Sequence, residues 1–250
     1  MAWSNSLPHC TVSPAAPRLN VAENPTCILF FLKLPQAGCV KTRLGATIGA
    51  NHATQIYHHF ILDLGTQLQQ LPHDIMVCHT PSTAAAALRQ ILPARWGYQA
   101  QRGTDLGERL VHGFATAFAR GYERVVAIGS DSPDLPMGIL ASAFQDLVHQ
   151  DCVIGPAQDG GYYTLGFTRK GFCPTVLSGI PWSTELAFTT TLKQLHHQGL
   201  RVQVLPPWFD VDTWADLWAF HCRHQGDSNR SHTLTYLDHH PSILFPYQTP

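Results

Sequence analysis

Arg124-Val125-Val126-Ala127-Ile128-Gly129-Ser130-Asp131-Ser132-Pro133 is the stretch on which the reading of this chain turns. A short apolar run, suited to a buried strand, leads straight into an acidic residue and a turn. In open α/β sheets, ligands bind outside the carboxyl ends of the strands. A carboxylate there, ahead of a proline that stops a helix from forming, is placed to hold a divalent metal and, through it, a phosphate. Two further stretches belong with it: Gly38-Cys39-Val40-Lys41-Thr42-Arg43 after the first strand, and Asp210-Val211-Asp212-Thr213 after the last. Together they suggest an enzyme that handles a nucleoside diphosphate or triphosphate.

Working outward, the continuous apolar run at 27–32 suits a strand buried on both faces. Ile56, Phe60, Leu64, Leu68 and Leu71 recur at helical spacing, and strands are predicted at 74–79, 98–101, 124–129, 151–155, 162–167 and 201–205. Helices are predicted at 82–92, 106–120, 137–149, 183–197 and 213–221. Asp105 caps the second of these and Gly121 terminates it. Strands alternating with helices predict an α/β fold of three layers with a mostly parallel central sheet. The organisation expected is an N-terminal arm over 1–25, one domain over 26–224 and a poorly ordered polar tail over 225–250.

The chain has 250 residues, of which 44% are hydrophobic, enough for one α/β domain with a sizeable core. With a net charge of −1 it offers no basic face, which argues against a nucleic acid polymer as partner. Its seven cysteines are odd in number and lack a C-x-x-C spacing, so a reducing cytoplasm is expected. No apolar run is long enough for a membrane span. The 15 histidines, several in adjacent pairs, read as solvated. A homodimer is left open.

Six groups of residues are candidates for chemistry. Gly38, Lys41 and Arg43 form a loop that can curl around phosphates, although Val40 stands where a Walker A loop needs glycine. A solvated basic turn is the competing reading. Asp131 is the expected metal ligand, and Asp134 the cap of the helix that follows. Asp210 and Asp212 point the same way if extended, and one of them can complete a metal site with Asp131; in the competing reading Asp212 or Thr213 caps the helix through Asp216, and both can hold at once. Asp159-Gly160-Gly161-Tyr162 pairs a carboxylate with glycines that permit close approach of backbone to ligand, or simply make a tight turn. Gln101 to Gly107 sits at a helix start, where a bare glycine lets a flat base lie against the backbone, or the stretch is a capping arrangement with a Glu108–Arg109 surface pair. Trp182 precedes the predicted helix start and is a candidate to line an acceptor pocket, with core packing as the competing reading; Ser183, at that helix start, is a candidate beside it.

On Leu34–Leu44, Gly129–Pro133, Gly155–Tyr163, Pro181–Thr184 and Asp210–Thr213, the chain from about residue 26 to 220 resembles the nucleotide-diphospho-sugar transferase (GT-A) superfamily. Within it, the resemblance is to a bacterial glycosyltransferase-like family, formerly a domain of unknown function, that includes proteins assigned to arsenosugar biosynthesis. The family is also similar to 2-phospholactate guanylyltransferases and molybdenum-cofactor nucleotidyltransferases. The resemblance implies a Rossmann-like GT-A fold and a transferase that takes a nucleotide sugar or nucleoside triphosphate and a small-molecule acceptor. Lys41 and Arg43 would contact the β- or γ-phosphate, Asp131 and Asp212 would hold Mg²⁺ or Mn²⁺, and Gln101–Gly107 would sit near the base. Asp159 to Tyr162 would face the acceptor, with Asp159 as a candidate general base. Many relatives of this fold carry Asp-x-Asp after the central strand, whereas here Ser132-Pro133 separate Asp131 from Asp134. Glycosyl transfer is the first reading, and nucleotidyl transfer with release of pyrophosphate the second.

Overall fold

Alternating apolar side chains on β1 (Thr26–Lys33) explain how the layers form. Ile28, Phe30 and Leu32 pack on one face of the sheet, against a core that includes Ile56, Phe60 and Leu64 of α2 (Ala50–Leu68). Cys27, Leu29 and Phe31 pack on the other, against Leu110, Phe114 and Phe118 of α4 (Leu106–Ala119). The computed structural model describes residues 25–227 and 231–245, so most of the expected N-terminal arm lies outside the described residues.

Among the described residues the sheet has seven strands: β1, β2 (Asp74–Thr80), β3 (Gly97–Ala100), β4 (Arg124–Ile128), β5 (Cys152–Pro156), β6 (Tyr162–Thr168) and β7 (Val202–Val204). Their order is β3-β2-β1-β4-β6-β5-β7. β6 pairs antiparallel with both β4 and β5, and the other pairings are parallel. The carboxyl ends of β1, β4, β5 and β7 therefore share one rim with the start of β6. The remaining helices are α1 (Thr42–Ile48), α3 (Ala85–Leu88), α5 (Met137–Asp146), α6 (Ala187–His197), α7 (Trp214–Arg223) and α8 (His232–His239). Among the described residues, no helix is long and apolar enough to cross a membrane. Cys27, Cys78 and Cys152 are buried free thiols, and burial pushes Cys78 up to about 12.

Four expectations are corrected. The helix predicted from Ser82 shrinks to Ala85–Leu88, and no side chain caps it. The helix predicted from Ser183 starts at Ala187, because Ser183 itself adopts φ 62, outside the helical region. Asp134 caps nothing: α5 begins three residues on, after Pro136. The largest correction concerns the tail over 225–250, which carries α8 and a short 3₁₀ turn, Pro241–Leu244. Leu234, Leu237, Ile243 and Leu244 join the core. Asp63 on α2 accepts hydrogen bonds from the backbone N–H of His232 (2.6 Å) and Thr233 (3.1 Å) and from Thr233 Oγ1 (2.6 Å). Trp214 Nε1 donates to the Ile243 carbonyl at 3.0 Å.

Several histidines expected to be solvated lie at this α2–α8 junction. His59 stacks on His232 with ring centroids 6.4 Å apart and packs on Tyr236 at 4.9 Å. Burial, helped by neighbouring His58, His232 and His240, lowers its pKa from 6.5 to about 4. The unfolded chain thus takes up this proton near pH 6.5, while the folded chain resists until about 4. Stability from this group is present in full above 6.5 and lost as pH falls through that window. Thermal unfolding is expected to show a midpoint that drops on acidification, with a shallower drop for His59→Gln. Identical slopes for the two proteins would contradict it.

Candidate active site

The loop after β1 aims a lysine inward. Cys39 N–H donates to the Gln36 carbonyl at 3.0 Å, closing a turn in which Gly38 takes φ 77, a conformation glycine adopts freely. Lys41 then enters the left-handed region (φ 46, ψ 45) as α1 begins. For a residue with a side chain this costs on the order of 1–3 kcal/mol and often marks a functional position. Its side chain is 3% exposed. Nζ lies 5.9 Å from the Tyr57 ring centroid and 5.6 Å from that of Phe60.

Two carboxylates meet that ammonium. Lys41 Nζ pairs with Asp131 Oδ1 and, at 2.8 Å, with Asp212 Oδ1. Arg43 Nη2 takes the other oxygen of Asp212 at 2.7 Å. The backbone explains how residues so distant in sequence converge. Val211 N–H donates to the Asp131 carbonyl at 2.9 Å, clipping the segment after β7 to the turn after β4. Asp216 and Thr213 form a capping box at the start of α7, and Asp216 Oδ2 also accepts from Asp212 N–H at 3.1 Å, which fixes the direction of Asp212.

Burial alone would lower the pKa of Lys41, but the two carboxylates raise it above its ordinary value. Burial pulls Asp212 upward, and Lys41 and Arg43 outweigh it, leaving its pKa lowered. Asp210 is the opposite case. Burial pushes it up to about 7 and the charges of Asp131 and Asp159 add to this, although Ser132 Oγ donates to its Oδ1 at 2.6 Å.

These groups open onto a cleft of about 650 Å³. Among the residues singled out in the sequence, Lys41, Arg43, Gln101, Asp131, Tyr162, Ser183 and Asp212 line it. Gly38 stands on the exposed loop before Lys41. Gln101 spends both amide hydrogens on the carbonyls of Cys78 (2.8 Å) and Leu32 (3.2 Å), so its amide oxygen is what it can offer a ligand. Asp159 is exposed, and its Oδ1 accepts from Gly161 N–H at 2.8 Å.

Three candidates serve packing. A side chain on Gly107 would collide with the Leu177 carbonyl and lie 3.0 Å from the Trp182 ring, so no base can lie on that face. Trp182 meets Tyr162 edge-on at 6.0 Å rather than standing free. Gly160 faces the Glu185 backbone, and its carbonyl accepts from Phe188 N–H at 2.9 Å. Its glycine serves a close approach of chain to chain. Asp134 also stands apart from the carboxylate pair. It accepts from Trp208 Nε1 at 3.1 Å and from Arg223 at 3.0 Å.

Tyr57 and Ser130 escaped the sequence reading. Tyr57 Oη accepts from Lys33 N–H at 3.0 Å and shares a hydrogen bond with Ser130 Oγ, 2.7 Å away. This bond braces the residue before Asp131. Tyr57 sits on the apolar stripe of α2 and reads as core; only the rule that a buried phenol needs a partner hints at more.

Asp131 and Asp212 are the residues that would hold a divalent metal: both present hard carboxylate oxygens, the kind that suit Mg²⁺ or Mn²⁺, and both contact the Lys41 ammonium. Among the described residues no group of three or more His, Cys, Asp or Glu is arranged to hold a metal. A cation on these two carboxylates would complete its shell with phosphate oxygens and water, as magnesium commonly does.

A family model described as an uncharacterized protein conserved in bacteria, DUF2064, matches residues 63–184. A search of the curated proteins gives no significant match. Among solved structures, a provisionally named nucleotide-diphospho-sugar transferase from Desulfovibrio desulfuricans is 39% identical, with a TM-score of 0.85 over 90% of this chain and 99% of that one. A cytidylyltransferase from Leptospira borgpetersenii (16% identity, TM-score 0.51, 91% of this chain and 99% of that one) shares the fold. So does a 4-diphosphocytidyl-2C-methyl-D-erythritol synthase from Anaerococcus prevotii (10% identity, TM-score 0.55, 81% and 97%). The chain belongs to the family of that nucleotide-diphospho-sugar transferase from Desulfovibrio desulfuricans, and residues 63–184 carry the DUF2064 match.

Proposed function

We propose that this protein is a metal-dependent glycosyltransferase that takes a nucleotide-diphospho-sugar donor and a small-molecule acceptor. The observation that carries the reading is the convergence of Lys41, Arg43, Asp131 and Asp212 at the rim between β1 and β4. That crevice is where the strand order reverses and where open sheets of this kind bind ligands. Asp131 and Asp212 would hold Mg²⁺ or Mn²⁺, which when bound supplies positive charge against the donor diphosphate. Lys41 and Arg43 contribute further positive charge as the nucleoside diphosphate departs. Gln101 offers an acceptor atom at the cleft wall, toward the donor's nucleoside. Tyr162 and Ser183 bound the acceptor side. Asp159 is exposed and is not among the residues that line the cleft, so its part as a base for an acceptor hydroxyl requires the acceptor to reach beyond the cleft wall. The buried free thiols fit a reducing cytoplasm.

One observation favours a second reading, nucleotidyl transfer. Asp134 is tied to Trp208 and Arg223, so the turn after β4 contributes one carboxylate and not an Asp-x-Asp pair. The same charges would then stabilise departing pyrophosphate, with little need for a base. Incubation with Mn²⁺, an acceptor pool and a panel of nucleotide sugars and nucleoside triphosphates separates the two. Glycosyl transfer predicts a nucleoside diphosphate released from a sugar donor. Acceptor-dependent pyrophosphate from a triphosphate would replace it with the second reading.

A further inference from the structure

We propose that Lys41 is an exchangeable counter-ion. Its ammonium holds the Asp131 and Asp212 carboxylates until a divalent cation takes those oxygens, and the displaced lysine then turns to the donor's diphosphate. The proposal rests on the metal-assisted reading above and adds to it an order of events.

The geometry makes the two cations rivals. Lys41 Nζ contacts Oδ1 of Asp131 and Oδ1 of Asp212, the pair of atoms a shared metal would use. The carboxylates are 48% and 33% exposed, so a cation reaches them from the cleft, whereas Lys41, at 3%, reaches them from the protein side. A metal bound at about 2.0–2.1 Å would stand within a few ångströms of the ammonium, where like charges repel strongly in a partly dry site. Lysine suits the exchange, because its ammonium is a compact charge on a flexible stem. Arg43 does not compete in the same way. It binds the far oxygen of Asp212 and is 69% exposed, so it can stay in place as the metal enters.

The exchange couples the two ligands. Metal entry frees a lysine charge for the diphosphate, and a diphosphate that captures Lys41 frees carboxylate oxygens for the metal. Such coupling is reciprocal: each ligand tightens the other by the same factor.

The test is a titration with Mn²⁺ alone, followed by the electron paramagnetic resonance of the free ion, on wild type, Lys41→Met and Asp131→Asn. Lys41→Met is expected to bind Mn²⁺ about tenfold more tightly than wild type, because the internal rival is gone. Asp131→Asn should lose the site. Near-UV circular dichroism checks that each variant is folded. Equal or weaker Mn²⁺ binding by folded Lys41→Met overturns the exchange while leaving the metal-assisted reading intact, provided that binding still needs Asp131. Mn²⁺ binding that ignores Asp131 in every protein overturns both.

A second measurement needs no destabilising change. The chain has four lysines, Lys33, Lys41, Lys170 and Lys193, so their ¹⁵N ammonium signals are few, and Lys41→Arg assigns the relevant one. Saturation of wild type with Mg²⁺ is expected to move or broaden the Lys41 signal. A signal unchanged at saturation, with Mg²⁺ binding verified by calorimetry, overturns the exchange.

Discussion

Asp131→Ala is expected to lower kcat/KM by about 10²–10³-fold or more and to remove the metal dependence of nucleotide binding. The magnitude follows from what this carboxylate does. It is the one acidic group that the turn after β4 contributes to the Lys41 cluster, and it shares Lys41 with Asp212. On the proposed reading, a divalent cation would then keep a single protein ligand, and the charge opposite the diphosphate would fall. The fold should survive, because Asp131 is half exposed and the clip from Val211 N–H uses its backbone carbonyl. Steady-state kinetics with the best donor and calorimetry with and without Mn²⁺ provide the check. Unchanged nucleotide affinity under both conditions would refute the assigned role.

The second large effect concerns stability. Asp63→Ala should cost about 2–4 kcal/mol, combining the loss of a helix cap with donors left short of a partner. Asp63 is buried at 4% exposure and receives three hydrogen bonds from the first residues of α8. Its loss should release α8 before the rest of the fold. Urea unfolding should show a lower midpoint, and amide exchange should accelerate first over residues 232–240. A midpoint unchanged within error, with protected α8 amides, would mean that α8 is held by its apolar contacts alone.

That helix also illustrates where sequence reading stops. The strands of the core were legible because β1 and β4 are continuous apolar runs, and such runs need two covered faces. The convergence at the rim is legible for a related reason: parallel strands bring their carboxyl ends to one rim, so the residues that follow β1, β4 and β7 meet there. The tail was not legible. α8 docks through Leu234 and Leu237, three residues apart, and otherwise through Asp63, Tyr236 and histidines. A polar junction of this kind leaves almost no apolar period to detect.

Glycines and caps failed for another reason. In sequence, Gly107 and Gly160 suggest room for a ligand, and each is instead room for another part of the chain, Leu177 with Trp182 in one case and Glu185 in the other. A missing side chain signals close approach, but its neighbour is a tertiary fact. Asp134 has the local chemistry of a cap, yet its carboxylate is drawn to Trp208 and Arg223, far away in sequence. Ser183 lies where a helix start was expected, and its left-handed backbone places it on the cleft wall instead.

The most direct measurement is a crystal structure with a nucleoside diphosphate and Mn²⁺, with the metal located by its anomalous scattering. One Mn²⁺ ligated by Asp131 and Asp212, with the diphosphate within hydrogen-bonding reach of Lys41 and Arg43, is the predicted result. A metal bound elsewhere, or a diphosphate lying away from this rim, would contradict the account.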